Sequence, residues 1–133
     1  MAPKSKPAAS EVHVIVLAAG RGTRMNSQLP KVLHQVGGWS LVERVLRTAN
    51  TVTPATTTLV VGYGASLIRE HLAGYPGLIF VDQDPPLGTA HAVQQTRTVL
   101  SERKGTVLLL SGDVPLLKAG TLRRLLKLHR ASS

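Results

Sequence analysis

The 133-residue sequence contains no cysteine. That excludes a disulfide scaffold, a thiolate zinc site and a cysteine nucleophile, and it suits a reducing cytoplasm, where the chain is expected to work. Aromatic residues are almost as scarce, at 3%. A core must therefore come from Val, Leu, Ile and Ala, the composition of strands covered by helices on both faces. The same scarcity leaves no platform for stacking nucleic-acid bases. Acidic residues number 7 against 16 lysines and arginines, and the resulting charge of +9 raises nucleic-acid binding as a function. The basic residues are scattered, however, over the N-terminus, one glycine-rich loop, three helical segments and the C-terminus. A small polyphosphate ligand and solvated helix faces account for the excess better, so no nucleic-acid partner is expected. No run approaches the roughly eighteen apolar residues of a membrane span, and no membrane partner is expected either. The opening MAPKSKPAASE is interrupted by Pro7, Ser10 and Glu11 before an apolar signal core forms. Residues 1–11 are read as a disordered basic tail and residues 12–133 as one domain.

Past the tail, apolar runs suited to buried strands recur at 12–18, 57–62, 78–81 and 106–111. Helical patterns lie between them. Residues 40–50 place Leu41, Val45 and Leu46 on one face, and residues 66–73 place Leu67, Ile68 and Leu72 on another. Residues 89–100 carry a stripe of Ala92, Val93, Thr96 and Leu100, and residues 121–130 form a last helix. That helix sets Arg123, Arg124, Lys127 and Arg130 beside leucines, which reads as a core-facing helix with a solvated face rather than a membrane-surface one. Strand–helix alternation with short connections predicts an α/β fold: a doubly wound, mostly parallel sheet with helices on both faces. Ligands of such sheets bind beyond the carboxyl ends of the strands, where the strand order reverses.

Three rich loops follow predicted strands. In LAAGRGTRM, Gly20 and Gly22 free the backbone to turn its N–H groups toward an anion, and Arg21, Arg24 and the later Lys31 add full charges. This is a candidate phosphate cradle, although it is neither a Walker A loop nor a full Gly-x-Gly-x-x-Gly, since Met25 stands where the third small residue belongs. A tight turn with solvated arginines is the competing reading. Asp113, in GDVP, is a carboxylate suited to Mg²⁺ bridging phosphates, or else an ordinary turn aspartate. His34 and His91 are read as structural.

LAAGRGTRM followed by LPKVLH, then QDPPLGTAHAV and LLSGDVPLL in that order, resembles the sugar-1-phosphate nucleotidyltransferases, in their N-acetylglucosamine-1-phosphate uridyltransferase branch. The resemblance runs over about residues 12 to 128. It implies a Rossmann-like fold and a UTP site, with the nucleotide against Leu17, Ala18, Ala19, Gly20, Arg21, Gly22 and Thr23. It implies uracil recognition by Gln83, Gly88 and Thr89, and it places Ser111 and Gly112 beside the nucleotide. Arg24 and Lys31 would be the catalytic cations, neutralising the pyrophosphate and holding a phosphate, and Asp113 the Mg²⁺ ligand. The partners implied are UTP and N-acetylglucosamine-1-phosphate.

Two features depart from the family. Ser111 stands where relatives carry an aromatic or polar residue, and Pro85 and Pro86 stand where polar residues are usual. The family's domain also continues through loops that bind the acceptor sugar, and its bifunctional members add a trimerising β-helix. The chain is therefore expected to be the nucleotide-binding part of such a domain, incomplete at its C-terminus, with its oligomeric state open. The alternatives are a non-catalytic nucleotide-binding module and a related transferase of the molybdenum-cofactor guanylyltransferase type.

Overall fold

The computed structural model describes residues 11–20, 29–114 and 116–132. All of the expected tail except Glu11 lies outside them. In chain order the elements are β1 (Val12–Ala18), a 3-10 turn (Lys31–Leu33), β2 (Gln35–Val36), β3 (Trp39–Ser40), α1 (Leu41–Asn50), β4 (Thr56–Val61), α2 (Ala65–His71), β5 (Leu78–Asp82), α3 (Thr89–Gln95), α4 (Arg97–Leu100), β6 (Thr106–Ser111) and α5 (Ala119–Ser132).

The four longer strands form one parallel sheet in the order β5-β4-β1-β6. The chain winds outward from β1 through β4 to β5, then returns to place β6 on the other side of β1. The doubly wound parallel sheet follows from the sequence pattern as expected. Val14 and Val16 of β1, Leu59 of β4 and Leu108 of β6 point to a face covered by Val42, Val45 and Leu46 of α1, Ile68 of α2, and Leu122 and Leu126 of α5. Ile15 and Val60 point to the opposite face and meet Ala92 of α3. With both faces covered, β1 is apolar without interruption except at His13.

The helices match the expected stripes in part. Ser40 caps α1 by accepting the Glu43 N–H at 3.2 Å while its hydroxyl donates to the Glu43 carboxylate at 3.0 Å. Leu67 differs from the expected face, being 45% exposed while its neighbour Ile68 is fully buried. Leu67 lies about 100° from Ile68 and about 140° from Leu72 around the helix, on the side away from the buried pair. The expected helix over 89–100 is broken at Thr96, whose buried hydroxyl bonds the Val93 carbonyl at 2.6 Å. In α5 only Leu122 and Leu126 reach the core, while Leu125 and Leu128 stay exposed. The β2–β3 hairpin was not anticipated. It turns at Gly37 and Gly38, both at positive φ (63° and 86°), the backbone that a tight two-residue hairpin needs.

Sheet coverage is uneven. Among the described residues β6 pairs with β1 alone. Its Val107 and Leu109 stand opposite His13 and Ile15 in register yet remain 51% and 43% exposed, because α3 and α4 do not reach over them.

His13 is the one polar side chain on β1 and is buried. The Lys104 carbonyl, 3.0 Å from Nε2, can only accept, so Nε2 donates to it, and Nδ1 shares a hydrogen bond with the Thr56 hydroxyl at 2.8 Å. The ring thus ties β4 and the loop before β6 to the central strand. His13→Ala is expected to cost about 2–4 kcal/mol, from the cavity and two unpaired groups. Urea unfolding checks this as a lower midpoint at unchanged slope; a loss under about 1 kcal/mol would mean the tie is dispensable.

Candidate functional site

The parallel register aligns the strand ends. Leu17 lies opposite Val60 on one side and Ser111 on the other, and Val61 lies opposite Asp82. The segments that leave β1, β5 and β6 therefore emerge at one edge of the sheet. The order reverses between β1 and β6, so those two segments diverge and leave a crevice. A cavity of about 450 Å³ opens there.

One wall is charged. Asp113 follows β6 and Lys31 opens the 3-10 turn, and their side chains meet at 3.1 Å. The Ser111 hydroxyl donates to the other carboxylate oxygen at 2.5 Å. The Asp113 carboxyl is held below its ordinary value, first by the Ser111 hydrogen bond, against the opposing effect of partial burial, and then by Lys31. The carboxylate is thus ionised and open to the cavity. Gly112 brings it there: its N–H bonds the Leu17 carbonyl at 2.8 Å, and an added Cβ would sit 2.9 Å from that same oxygen.

The facing wall is built by the segment after β5. Gln83 continues the ladder, its N–H on the Val61 carbonyl at 2.8 Å, and its side chain is almost wholly buried. Its amide nitrogen lies 3.1 Å from the Gly88 carbonyl and 3.0 Å from His91 Nδ1. Pro86, Gly88, Thr89 and Ala92 complete this wall, and the Leu17–Gly20 backbone forms the floor. A second hollow, of about 500 Å³, adjoins across Gln83 and Pro86 and is lined by Tyr63, Asp82 and Asp84.

Of the residues expected at the site, Leu17, Ala18, Ala19, Gly20, Lys31, Gln83, Gly88, Thr89, Ser111 and Asp113 line one cavity. Gly112 acts through its packing on Leu17. Arg21, Gly22, Thr23 and Arg24 lie outside the described residues. His34 does not line the cavity, whereas His91 touches Gln83. The sequence carried no signal for that contact beyond the position of His91 one turn into a helix. Val32 is a wall residue that the sequence reading had not named, and Pro86 and Ala92, read there as a departure from the family and as part of a helix stripe, are wall residues too.

Among the described residues no three His, Cys, Asp or Glu side chains gather to hold an ion by themselves. A single ionised carboxylate fits instead an ion that arrives with phosphate oxygens and water, as Mg²⁺ does.

Residues 14–133 match the MobA-like NTP transferase domain. The chain belongs to that family of nucleotidyltransferases. "Bifunctional protein GlmU" of Acaryochloris marina is 50% identical over 119 residues, which is 90% of this chain but 26% of that relative. The chain thus spans about a quarter of that curated relative's length. Among solved structures, a nucleotidyl transferase from Methanothermobacter superposes with a TM-score of 0.73 at 25% identity, covering 88% of this chain and 57% of that one. Rv0371c of Mycobacterium tuberculosis gives 0.77 at 25% identity, covering 92% and 62%. A manganese complex of Rv0371c gives 0.73 at 25% identity, covering 92% and 61%. The parallel sheet and the crevice at its reversal are thus those of the nucleotidyltransferase fold.

Two outcomes are expected of this NTP transferase domain. With divalent ions removed, Ser111→Ala should raise the Asp113 pKa toward its ordinary 3.8, because it deletes the largest stabiliser of the carboxylate. A carboxyl group depressed in the folded state contributes stability at neutral pH and loses it as pH falls through the folded pKa. In Ser111→Ala the contribution at neutral pH is therefore smaller and its loss is complete at higher pH, which NMR of the carboxyl carbon and acid unfolding would both read. Gly112→Val should cost about 1–3 kcal/mol by forcing β6 away from Leu17. An unshifted thermal midpoint would show that the approach is not required.

Proposed function

We propose that the domain grips UTP with Mg²⁺, as the nucleotide-binding part of a UDP-N-acetylglucosamine diphosphorylase. Such an enzyme transfers UMP from UTP to N-acetylglucosamine-1-phosphate and releases pyrophosphate. The observation that carries this reading is the convergence on one crevice of an ionised carboxylate, a lysine and a buried glutamine amide, each from a different strand end. The identity to a bifunctional GlmU protein supports the choice of acceptor and nucleotide, and the manganese complex of Rv0371c supports a divalent ion. The product would be a precursor of the bacterial cell wall, made in the cytoplasm; no helix among the described residues is long and apolar enough to cross a membrane.

Lys31 and Asp113 neutralise each other without ligand. On binding, the lysine turns to the α-phosphate and the carboxylate is left for the ion. Mg²⁺ supplies charge neutralisation of the phosphates and geometric order. The acceptor phosphate is already ionised at neutral pH, so its oxygen attacks the α-phosphorus without a general base. The bond from that phosphorus to the pyrophosphate oxygen breaks, and pyrophosphate leaves in line. Catalysis in this scheme is positioning and electrostatics, and Arg24 is assigned to the departing pyrophosphate.

Calorimetry tests the reading. UTP is expected to bind with Mg²⁺ and to lose on the order of tenfold or more in affinity with EDTA or in Asp113→Asn, with a further fall as salt screens the charges. Equal affinity with and without Mg²⁺ counts against Asp113 as the ligand. A preference for GTP over UTP would instead favour the guanylyltransferase-type alternative.

A further inference from the structure

The hydrogen bonds around Gln83 and His91 decide which half of the glutamine amide meets a ligand. The Gly88 carbonyl can only accept, so the atom 3.1 Å from it must be the amide nitrogen. The same nitrogen lies 3.0 Å from His91 Nδ1. Its two hydrogens are thus both engaged, and Nδ1 must carry a lone pair. A neutral imidazole then holds its hydrogen on Nε2 and donates it. The group 3.1 Å from Nε2 is the terminal amide of Gln95. Two amide nitrogens cannot both donate to one neutral ring, so one of the two amides has to present oxygen. Gln83 is held by the 3.1 Å bond to Gly88, whereas Gln95 has only a 3.4 Å contact to the His91 carbonyl to give up. Gln95 is the amide that presents oxygen to Nε2. The resulting relay runs from Gln83 to His91 to Gln95, and among the described residues it leaves Oε1 as the half without a protein partner, on a glutamine that is only 4% exposed and lines the cavity.

We infer that His91 is a positioning residue for base selection: it locks Gln83 with its carbonyl oxygen toward the base, so that the site accepts a pyrimidine with a ring N3–H and repels one with an N3 lone pair. The inference rests on the reading that this cavity takes a nucleoside triphosphate. Uracil presents N3–H, and cytosine presents a lone pair at the same atom. A freely rotating glutamine would serve both, since one face of its amide donates and the other accepts. The Gly88 carbonyl and His91 Nδ1 together remove that freedom, one for each amide hydrogen, and His91 does so from outside the nucleotide's place. A glutamine amide has one half that donates and one that accepts. Only the accepting half is available, and the uracil carbonyls must find their donors elsewhere.

Binding of UTP and of CTP with Mg²⁺ is measured by calorimetry on the wild-type chain, His91→Ala and His91→Asn. The wild type should prefer UTP by roughly tenfold or more, the discrimination one mismatched buried polar pair confers. His91→Ala leaves the Gly88 bond and removes the second, so it should narrow the ratio severalfold by gaining affinity for CTP, which a merely destabilising substitution does not do. His91→Asn should keep it, since the asparagine oxygen can accept from Gln83 as Nδ1 does. Long-range ¹H–¹⁵N NMR of the ligand-free wild type reads the ring directly and should find Nδ1 unprotonated and Nε2 protonated. An unchanged UTP/CTP ratio in His91→Ala, or a proton on Nδ1, overturns the inference alone. A wild-type chain that binds neither nucleotide overturns the reading of the cavity and this inference with it.

Discussion

The site depends on β1 being paired on both edges. β4 and β6 each align their residues against it in parallel register, and β5 takes its register from β4. A slip of one residue at β6 would turn Ser111 to the other face of the sheet and carry Asp113 away from Lys31. The burial of Thr106, Leu108 and Leu110 on one face of β6, with Val107 and Leu109 exposed on the other, opposes such a slip, because it would move the buried set to the uncovered face. The geometry of the crevice is therefore a by-product of core packing. The loops need only the right residues at their first few positions.

Two polar arrangements stand on that scaffold, and they differ in kind. Lys31 and Asp113 are both partly solvated, so their pairing is weak and easily exchanged for phosphate and metal. The contacts of Gln83, Gly88, His91 and Gln95 are more buried and more directional. Breaking them leaves donors and acceptors unpaired in a low-dielectric wall. One wall can thus trade partners as charge arrives, while the other keeps its shape. That division suits a ligand whose phosphates change during reaction and whose base does not.

Much of this was legible in the sequence. The four strands announced themselves as buried β-branched and leucine runs, and the three loops after them carried the residues that line the cavity. What escaped reading was short or nonlocal. Strands of two residues, such as Gln35–Val36 and Trp39–Ser40, are below the length at which alternation can be recognised, although Gly37–Gly38 marked the turn. At the break both the N–H and the hydroxyl of Thr96 turn to the Val93 carbonyl, a local tightening that periodicity cannot register. Leu67 fitted a leucine-rich stripe by composition but not by angle. The Lys31–Asp113 pair spans the chain, and it becomes visible only once β6 is placed beside β1. His91 reads from the sequence as structural, and its contact with Gln83 shows only once the loop between them is folded.

The uncovered side of β6 has a colloidal consequence. Its outer edge, unpaired among the described residues, is a template on which another strand can add, and Val107 and Leu109 offer that strand an apolar seat. Opposing this is the net charge of +9, which makes copies of the chain repel one another. The balance shifts with ionic strength, since the repulsion is screened within about 10 Å at 0.1 M salt while the apolar attraction is not. A chain kept dispersed in dilute buffer by its lysines and arginines is thus drawn toward self-association as salt rises, edge to edge along β6.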